Sequence, residues 1–241
     1  MNLTLHPTSM QEQTAVVIVA AGSSRRMGGR DKLWIPLEGR ITLARTIDAF
    51  AASPLIARIV LVLNSERLAE ARELCTREGW PQISGIITGG ARRQDSVRAG
   101  LDYLAEFAPE TRWVMIHDGA RPLVTGEIIE AGLRAAQKHQ AAIAAVPVKD
   151  TIKQAQDGMI QTTPDRSQLW AVQTPQVFNF SLIQQAHHSA LAADEATDDA
   201  ALLERLGYPV ALFPGSYTNL KITTQEDLLL AEALLRGSKN S

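Results

Sequence analysis

AVVIVAAGSSRRMGGRDK, residues 15–32, carries the pattern from which an α/β fold follows. Ala15 to Ala21 is an apolar run with Val and Ile at its centre and no polar interruption. Such a run reads as a strand buried on both faces, as in a parallel sheet. Gly22, Ser23 and Ser24 then turn the chain, and Gly22, having no Cβ, lets the backbone come close to a ligand. Arg25, Arg26 and Lys32 follow in one short loop, with Gly28 and Gly29 between them. A small-residue turn after a buried strand, then clustered cations, is a common way to hold a polyphosphate; the alternative is a solvated basic loop. The loop is not a P-loop, since five residues rather than four separate Gly22 from Gly28. Nor is it the dinucleotide fingerprint, because Ser24 stands where its second glycine belongs.

Outward from this stretch the chain repeats strand and helix. Helical periodicity over 43–53 is followed by a strand at 58–63, a charged helix at 66–78 and a strand at 83–88. A helix near 96–107, a strand at 113–116, a helix at 126–139 and a strand at 141–146 continue the alternation. This predicts a doubly wound, mostly parallel, Rossmann-like sheet with helices on both faces. The rhythm breaks at 149–166, where polar β-type residues flank Gly158, and a hairpin arm projecting from the sheet is expected. Helices at 181–193 and 198–206, short strands at 208–213 and 219–223, and a last helix capped by Thr224 with Asp227 three residues on complete the reading. The domain expectation is a disordered tail at 1–13, a single domain over 14–236 that includes the arm, and a tail at 237–241.

Composition bounds the function. With 241 residues, 45% hydrophobic, the chain can bury a substantial core. A formal net charge of −2 offers no overall basic field for nucleic acid. Cys75 is the only cysteine, which excludes a disulfide framework and a cysteine zinc site. The N-terminus lacks the basic start and apolar core of a signal peptide, and no apolar run approaches the ~18 residues of a membrane span. A cytoplasmic, reducing setting is expected.

The chemistry gathers where ligands bind open α/β sheets, outside the carboxyl ends of strands. Four polar motifs fall there: Ala20-Ala21-Gly22, the run from Gly89-Gly90 to Ser96, His117-Asp118-Gly119-Ala120-Arg121-Pro122, and Pro147 to Thr151. Gly89-Gly90 suits a flat base lying on backbone, with Ser96 at a helix start as hydrogen-bonding partner; a plain turn with an N-cap is the alternative. Asp118 could face a ribose hydroxyl or a Mg²⁺ ion on phosphates, or simply pair with Arg121. His117 reads as a packed, hydrogen-bonded neighbour, and His187-His188 as part of a polar helix without zincin spacing. Lys221 is a lone cation in NLKIT and calls for an anionic partner, a phosphate or an internal carboxylate. Nucleotidyl transfer fits this set: attack at an α-phosphorus asks the protein for positioning and fixed positive charge from Arg26, Lys32 and Lys221, with Mg²⁺ bridging phosphate oxygens.

The motifs AAGSSRRMG, GGARRQDSV, HDGARP, PVKDTIK, DRSQLWAVQTPQVF, TDDA and NLKIT, in this order from about Val16 to Leu235, resemble those of the 2-C-methyl-D-erythritol 4-phosphate cytidylyltransferases of the non-mevalonate isoprenoid pathway. The resemblance implies transfer of CMP from CTP to methylerythritol phosphate with Mg²⁺ accompanying the CTP phosphates. It implies that Arg26 and Lys32 stabilise the transition state and that Arg166 and Lys221 hold the acceptor's phosphate. Ala20, Ala21, Gly22, Gly90 and Ser96 would surround the cytosine end, with Asp118 and Gly119 at the ribose. Arg121, Thr151, Thr174, Thr197 and Asp198 would be substrate or supporting contacts. It also implies a homodimer through the arm, each arm carrying contacts into the neighbouring site. Two departures stand out: the usual Pro-Lys-Gln frame of the lysine is here Asp31-Lys32-Leu33, and HDAARP is here HDGARP. A cytidylyltransferase for another polyol phosphate, such as ribitol 5-phosphate, is the near rival; a non-catalytic nucleotide-binding module is the distant one.

Overall fold

The computed structural model describes residues 13–22 and 31–239. Expectations that fall on 1–12, 23–30 and 240–241, including Arg26 and almost all of the N-terminal tail, lie outside the described residues. In chain order the elements are β1 (Thr14–Ala20), β2 (Pro36–Leu37), β3 (Arg40–Ile41), α1 (Thr42–Ala51), β4 (Arg58–Leu63), α2 (Leu68–Glu78), β5 (Ile83–Thr88), α3 (Arg93–Phe107), β6 (Trp113–Asp118), α4 (Gly126–His139) and β7 (Ala141–Pro147). They continue as β8 (Gln154–Gln156), β9 (Met159–Thr162), β10 (Trp170–Asn179), α5 (Phe180–His188), α6 (Ala200–Arg205), β11 (Ala211–Pro214) and α7 (Gln225–Lys239).

Strand residues alternate between two cores because side chains of a strand point to opposite faces in turn. Val16 and Ile18 join Leu43, Ile47 and Phe50 of α1 and Ile129 and Leu133 of α4. Ala15 and Val17 join Val97, Leu101 and Leu104 of α3, Ile183 of α5 and Leu203 of α6. Burial on both faces explains the uninterrupted apolar runs of β1 and β4.

The seven strands lie in the order β11-β7-β10-β6-β1-β4-β5. β1 pairs in parallel with β4 on one side and with β6 on the other. The chain therefore winds outward through β4 and β5, then returns to start again at β6. The boundary between β1 and β6 is a topological switch point, where the crevice at the carboxyl ends opens. Val19 and Asp118 are register partners there.

β10 is the strand that alternation did not foretell. It runs antiparallel to both β6 and β7. The reason is local: β7 and β10 are joined by residues 148–169 without a crossover helix, and parallel neighbours need a crossover. The pair is a long hairpin whose loop is the arm, leaving the sheet at the same edge as the crevice. Pro175 interrupts the β10 pattern, and the register shifts between Val172 and Gln176.

The arm itself forms as expected. β8 and β9 pair antiparallel across Asp157 and Gly158, both at positive φ, the geometry of a tight two-residue hairpin turn. Residues 149–163 are exposed throughout. The expected strand at 219–223 is not one: this segment is irregular, tied by the Ile222 N–H donating to Ala120 O at 2.8 Å. The helix expected from 181 closes at His188 and is followed by a 3-10 turn, Ala190–Ala192. α7 continues to Lys239, past the expected boundary at 236, and no helix among the described residues is long and apolar enough to cross a membrane.

Phe178 on β10 is completely buried against the α3–α5 core. Phe178→Ala should cost roughly 3–5 kcal/mol, transfer and cavity terms together. Urea unfolding followed by circular dichroism measures it; a loss below 1 kcal/mol would show that β10 is dispensable to that core.

Candidate active site

Two adjoining clefts open at the switch point. One, of about 440 Å³, is lined by Ala20, Ala21, Gly22, Lys32, Gly90, Arg93, Ser96, Asp118 and Lys221, among others. The second, of about 310 Å³, is lined by Arg93, Asp118, Arg121, Thr174, Thr197, Asp198 and Lys221, with Val172, Gln173 and Gln176. Arg93, Asp118 and Lys221 belong to both. Of the residues expected from the sequence, Ala20, Ala21, Gly22, Lys32, Gly90 and Ser96 line the first cleft, Arg121, Thr174, Thr197 and Asp198 the second, and Asp118 and Lys221 both.

The first cleft is shaped by close backbone packing. The Gly90 N–H donates to Ser96 Oγ at 3.1 Å, and that hydroxyl donates to Arg92 O at 3.2 Å. Ser96 is therefore not the N-cap of α3. The helix begins three residues earlier, and Asp95 in its first turn accepts from the Arg92 N–H at 3.2 Å and from the Arg92 guanidinium at 2.7 and 3.0 Å. Gly89 is required by contact: a Cβ there would lie 2.5 Å from Ser96 Oγ and 2.6 Å from Ala21 Cβ.

Lys32 reaches the same cleft from an altered frame that is well anchored. Asp31 accepts the Leu33 N–H at 3.2 Å and lies 3.3 Å from Arg67 Nε. Leu33 on the other side is buried in the core, and the Arg67 guanidinium covers Trp34 at 5.6 Å from the ring centroid. Turn, ion pair and buried leucine replace the proline of the commoner frame.

Asp118 stands at the centre. Its carboxylate meets Lys221 Nζ at 2.8 Å, Arg93 Nε at 3.3 Å and Arg121 Nε at 3.7 Å. Burial alone would raise its pKa, but Arg93, Lys221 and Arg121 outweigh burial and hold the group well below the ordinary carboxylate range. The anionic partner that Lys221 required is thus an internal carboxylate. Asp118 is paired not only with the expected Arg121 but also with Arg93 and Lys221. Among the described residues no group of three or more His, Cys, Asp and Glu could hold a metal ion.

His117 is fully buried and structural. Its Nε2 faces Arg121 O at 3.2 Å and its Nδ1 faces Thr174 Oγ1 at 3.1 Å. A carbonyl can only accept, so Nε2 carries the proton and Nδ1 accepts from the Thr174 hydroxyl. The Thr174 oxygen in turn accepts the Asp118 N–H at 3.0 Å. Burial pushes the His117 pKa down to about 3, the opposing effects being the Arg121 carbonyl and Asp118. Thr174, freed from the ladder beside Pro175, fixes the end of β6 rather than offering a free hydroxyl.

Other expected residues separate by role. Gly119 lines neither cleft: its N–H donates to Val19 O at 2.9 Å and its carbonyl accepts from Thr46 Oγ1 at 2.9 Å. Asp198 accepts from Gln176 Nε2 at 2.8 Å and from the Ala201 N–H at 3.0 Å, holding the start of α6. Thr151 and Arg166 lie on the arm and line neither cleft of their own chain; Arg166 Nη1 donates to Lys149 O at 2.7 Å. Sequence reasoning missed Arg93 as a site cation, although it sits in the quoted run GGARRQDSV. It also misread His187. His188 is exposed and 2.7 Å from Asp102, but His187 is buried against Asp199, so the helix is polar on one side only.

Comparison with known proteins places these features in company. A family model described as IspD, 2-C-methyl-D-erythritol 4-phosphate cytidylyltransferase, matches residues 14–237. A curated protein of that name from Dehalococcoides mccartyi is 46% identical over 231 residues, covering 95% of this chain and 99% of its own. Another from Syntrophotalea carbinolica is 49% identical over 227 residues, covering 91% and 95%. Among solved structures, the 4-diphosphocytidyl-2C-methyl-D-erythritol synthase of Anaerococcus prevotii superposes with a TM-score of 0.82 at 32% identity, covering 94% of this chain and 99% of that one. The 2-C-methyl-D-erythritol 4-phosphate cytidylyltransferase of Thermus thermophilus gives 0.74 at 33%, covering 91% and 98%.

The buried imidazole predicts a pH dependence of stability. The folded pKa of His117 lies below its ordinary value of 6.5, so the unfolded chain takes up the proton first as pH falls. The stability from this site is complete above about pH 6.5 and is lost as pH drops toward about 3. Between about pH 7.5 and about pH 5 the loss is on the order of 2 kcal/mol. Asp118, also depressed, contributes stability above its unfolded value of about 3.8 and loses it only at still lower pH. Urea unfolding across this range should show the decline, and His117→Gln should flatten it; an equal slope in the variant would refute the assignment.

Proposed function

This chain belongs to the 2-C-methyl-D-erythritol 4-phosphate cytidylyltransferase family, and from that premise we propose how its clefts carry out the reaction. CMP from CTP is joined to 2-C-methyl-D-erythritol 4-phosphate, giving 4-diphosphocytidyl-2-C-methyl-D-erythritol and pyrophosphate in non-mevalonate isoprenoid synthesis. The observation that carries this reading is the pair of clefts sharing Arg93, Asp118 and Lys221. One is walled by close backbone suited to a pyrimidine, the other is polar and cationic and suited to a small phosphorylated polyol.

CTP lies in the first cleft, its base against Ala20, Ala21, Gly22, Gly90 and Ser96, its ribose near Asp118. The acceptor's phosphate is held in the second by Lys221, with Arg121 and Thr197 alongside. An acceptor phosphate oxygen attacks the α-phosphorus, the bond from that phosphorus to the pyrophosphate breaks, and pyrophosphate leaves with its electron pair. Lys32, at the rim of the first cleft, and Arg26 supply fixed positive charge to the phosphate oxygens as negative charge crowds there. A Mg²⁺ ion bound with CTP would neutralise charge on the triphosphate; the Asp118 carboxylate, engaged by three cations, fits poorly as a protein ligand for it. The catalytic unit is a single domain that begins at residue 14 and ends with α7 at Lys239, and a lone cysteine, Cys75, suits a reducing cytoplasm.

A homodimer completes the site. The arm exposes Met159 at 70% and Ile160 at 63% on an isolated hairpin, which is marginal in water by itself. Ile152, Trp170 and Val172 extend this apolar surface along the base of the arm and β10. A second copy, packed about a two-fold axis, gives these residues a partner and brings Thr151 and Arg166 to the neighbouring acceptor cleft.

Pyrophosphate release with CTP against a panel of polyol phosphates tests the reaction, with methylerythritol phosphate expected to be preferred. Turnover with ATP or GTP equal to that with CTP would overturn the base assignment. Lys32→Ala should lower kcat by about 10²–10³-fold with KM little changed, the loss expected for one fixed charge at a transition state. A raised KM with unchanged kcat would make Lys32 a binding residue instead.

Sharing between subunits is tested by mixing inactive Lys32→Ala and Arg166→Ala chains. Activity should partly return, because in a mixed dimer one site carries both defects and the other neither. Subunit exchange without recovery, or a monomer in solution, would refute the shared site.

A further inference from the structure

A buried chain of polar groups leads away from the clefts to a residue that no substrate can touch. Arg93 Nε lies 3.3 Å from Asp118 Oδ1, and its Nη1 donates to Asp199 Oδ2 at 2.7 Å. Asp199 is 1% exposed, and its other oxygen, Oδ1, lies 3.2 Å from Nε2 of His187, also 1% exposed. His187 comes from α5; its Nε2 is within ion-pair distance of Asp199 Oδ1 without the alignment of a hydrogen bond, and among the described residues neither atom, nor His187 Nδ1, has a hydrogen-bond partner, so Nε2 and Oδ1 have only each other. Three elements are thus linked through one carboxylate: α5 by His187, the start of α6 by Asp199, and α3 by Arg93.

We propose that His187 is a positioning residue for both clefts, acting through Asp199 on Arg93. A buried carboxylate needs its two oxygens satisfied. With His187 on Oδ1, Asp199 can offer Oδ2 alone to Arg93, which leaves the Arg93 Nε turned toward Asp118. Without the imidazole, Asp199 Oδ1 is left bare, and the nearest cation able to cover both oxygens is the same guanidinium. Bidentate capture of Arg93 by Asp199 draws it off Asp118. Asp118 then keeps Lys221 and Arg121, and Lys221, the closer at 2.8 Å, is held more tightly by the carboxylate and less available to an incoming phosphate. The chain of effects ends on the residue that both clefts share.

The inference rests on the reaction proposed above, so turnover of the unmodified protein with CTP and methylerythritol phosphate is measured first. Failure there concerns the reaction; only if it succeeds do the variants address His187. His187→Leu keeps the volume and removes the polar atoms. It should raise KM for CTP and for the acceptor by about 10-fold, the lower end of what losing a partner that orients a metal-binding side chain costs at metal sites. His187→Gln, which returns a donor at similar reach, should recover most of the loss. A protein that was merely destabilised would show fewer active molecules, a lower kcat at unchanged KM. That result, or His187→Gln as impaired as His187→Leu, would overturn the proposal. If His187→Leu does not fold, His187→Asn, whose amide is too short to reach Asp199 Oδ1, is compared in the wild-type and Asp199→Asn backgrounds. The proposal expects its effect on KM to vanish when Asp199 can no longer act as the go-between; equal effects in both backgrounds would overturn it.

Discussion

One carboxylate, buried and surrounded by cations, is what the rest of the structure is arranged around. Asp118 lies within 3.7 Å of Lys221, Arg93 and Arg121. The buried carboxylate would not be tolerable there without these cations. A carboxylate removed from water is unfavourable unless it is paired, and so is a guanidinium with little exposure. The group is worth its desolvation because it brings three cations from distant parts of the sequence to one wall without letting them repel one another apart. Such an arrangement holds positive charge ready for phosphate oxygens before any ligand arrives.

The fold serves this cluster through its topology. Asp118 is the last residue of β6, and Ala20 the last of β1, so the switch point sets the carboxylate in the wall of the first cleft. Arg93 arrives at the first turn of α3, after β5. Lys221 arrives on an irregular segment that is held by several weak ties rather than by a ladder. Asn219 Nδ2 donates to Thr174 O at 2.9 Å, Arg121 Nη1 donates to Asn219 O at 2.8 Å, and Asp227 accepts from the Thr223 and Thr224 N–H groups at 2.8 Å.

β10 connects the remaining parts. Its Phe178 builds the core, its Thr174 locks the tautomer of His117 and the end of β6, its Gln176 holds Asp198 and the start of α6, and its first residues extend into the arm. Gln176 Oε1 accepts from the N–H groups of Asp199 and Ala200 at 3.2 and 3.3 Å, so one strand governs the segment that carries the carboxylate facing Arg93. The antiparallel return after β7 therefore gives the second cleft a wall and the arm its root in a single element.

The sequence by itself determined the strands buried on both faces, the alternation with helices, the projecting hairpin around Gly158 and the motifs at the strand ends. These are local matters: apolar runs, helical periodicity, turn residues and residue types at fixed spacing act within a few positions of one another. Motif order extended this to Lys32, Ser96, Asp118 and Lys221 as members of one site. Only the tertiary structure decided which charge meets which. NLKIT has the composition of a strand, yet it is irregular, because no neighbouring edge offers it a ladder. WAVQTPQVF carries a proline within its pattern, yet it is a central strand, because the missing hairpin crossover forces the chain back between β6 and β7. HDGARP could not say that Asp118 would face Arg93 and Lys221, residues 25 and 103 positions away in the chain. Nor could a pair of histidines on a polar-looking helix show that His187 turns inward to Asp199. Pairings across such separations depend on how the sheet is wound and on which faces of the helices are buried, and no local preference encodes either.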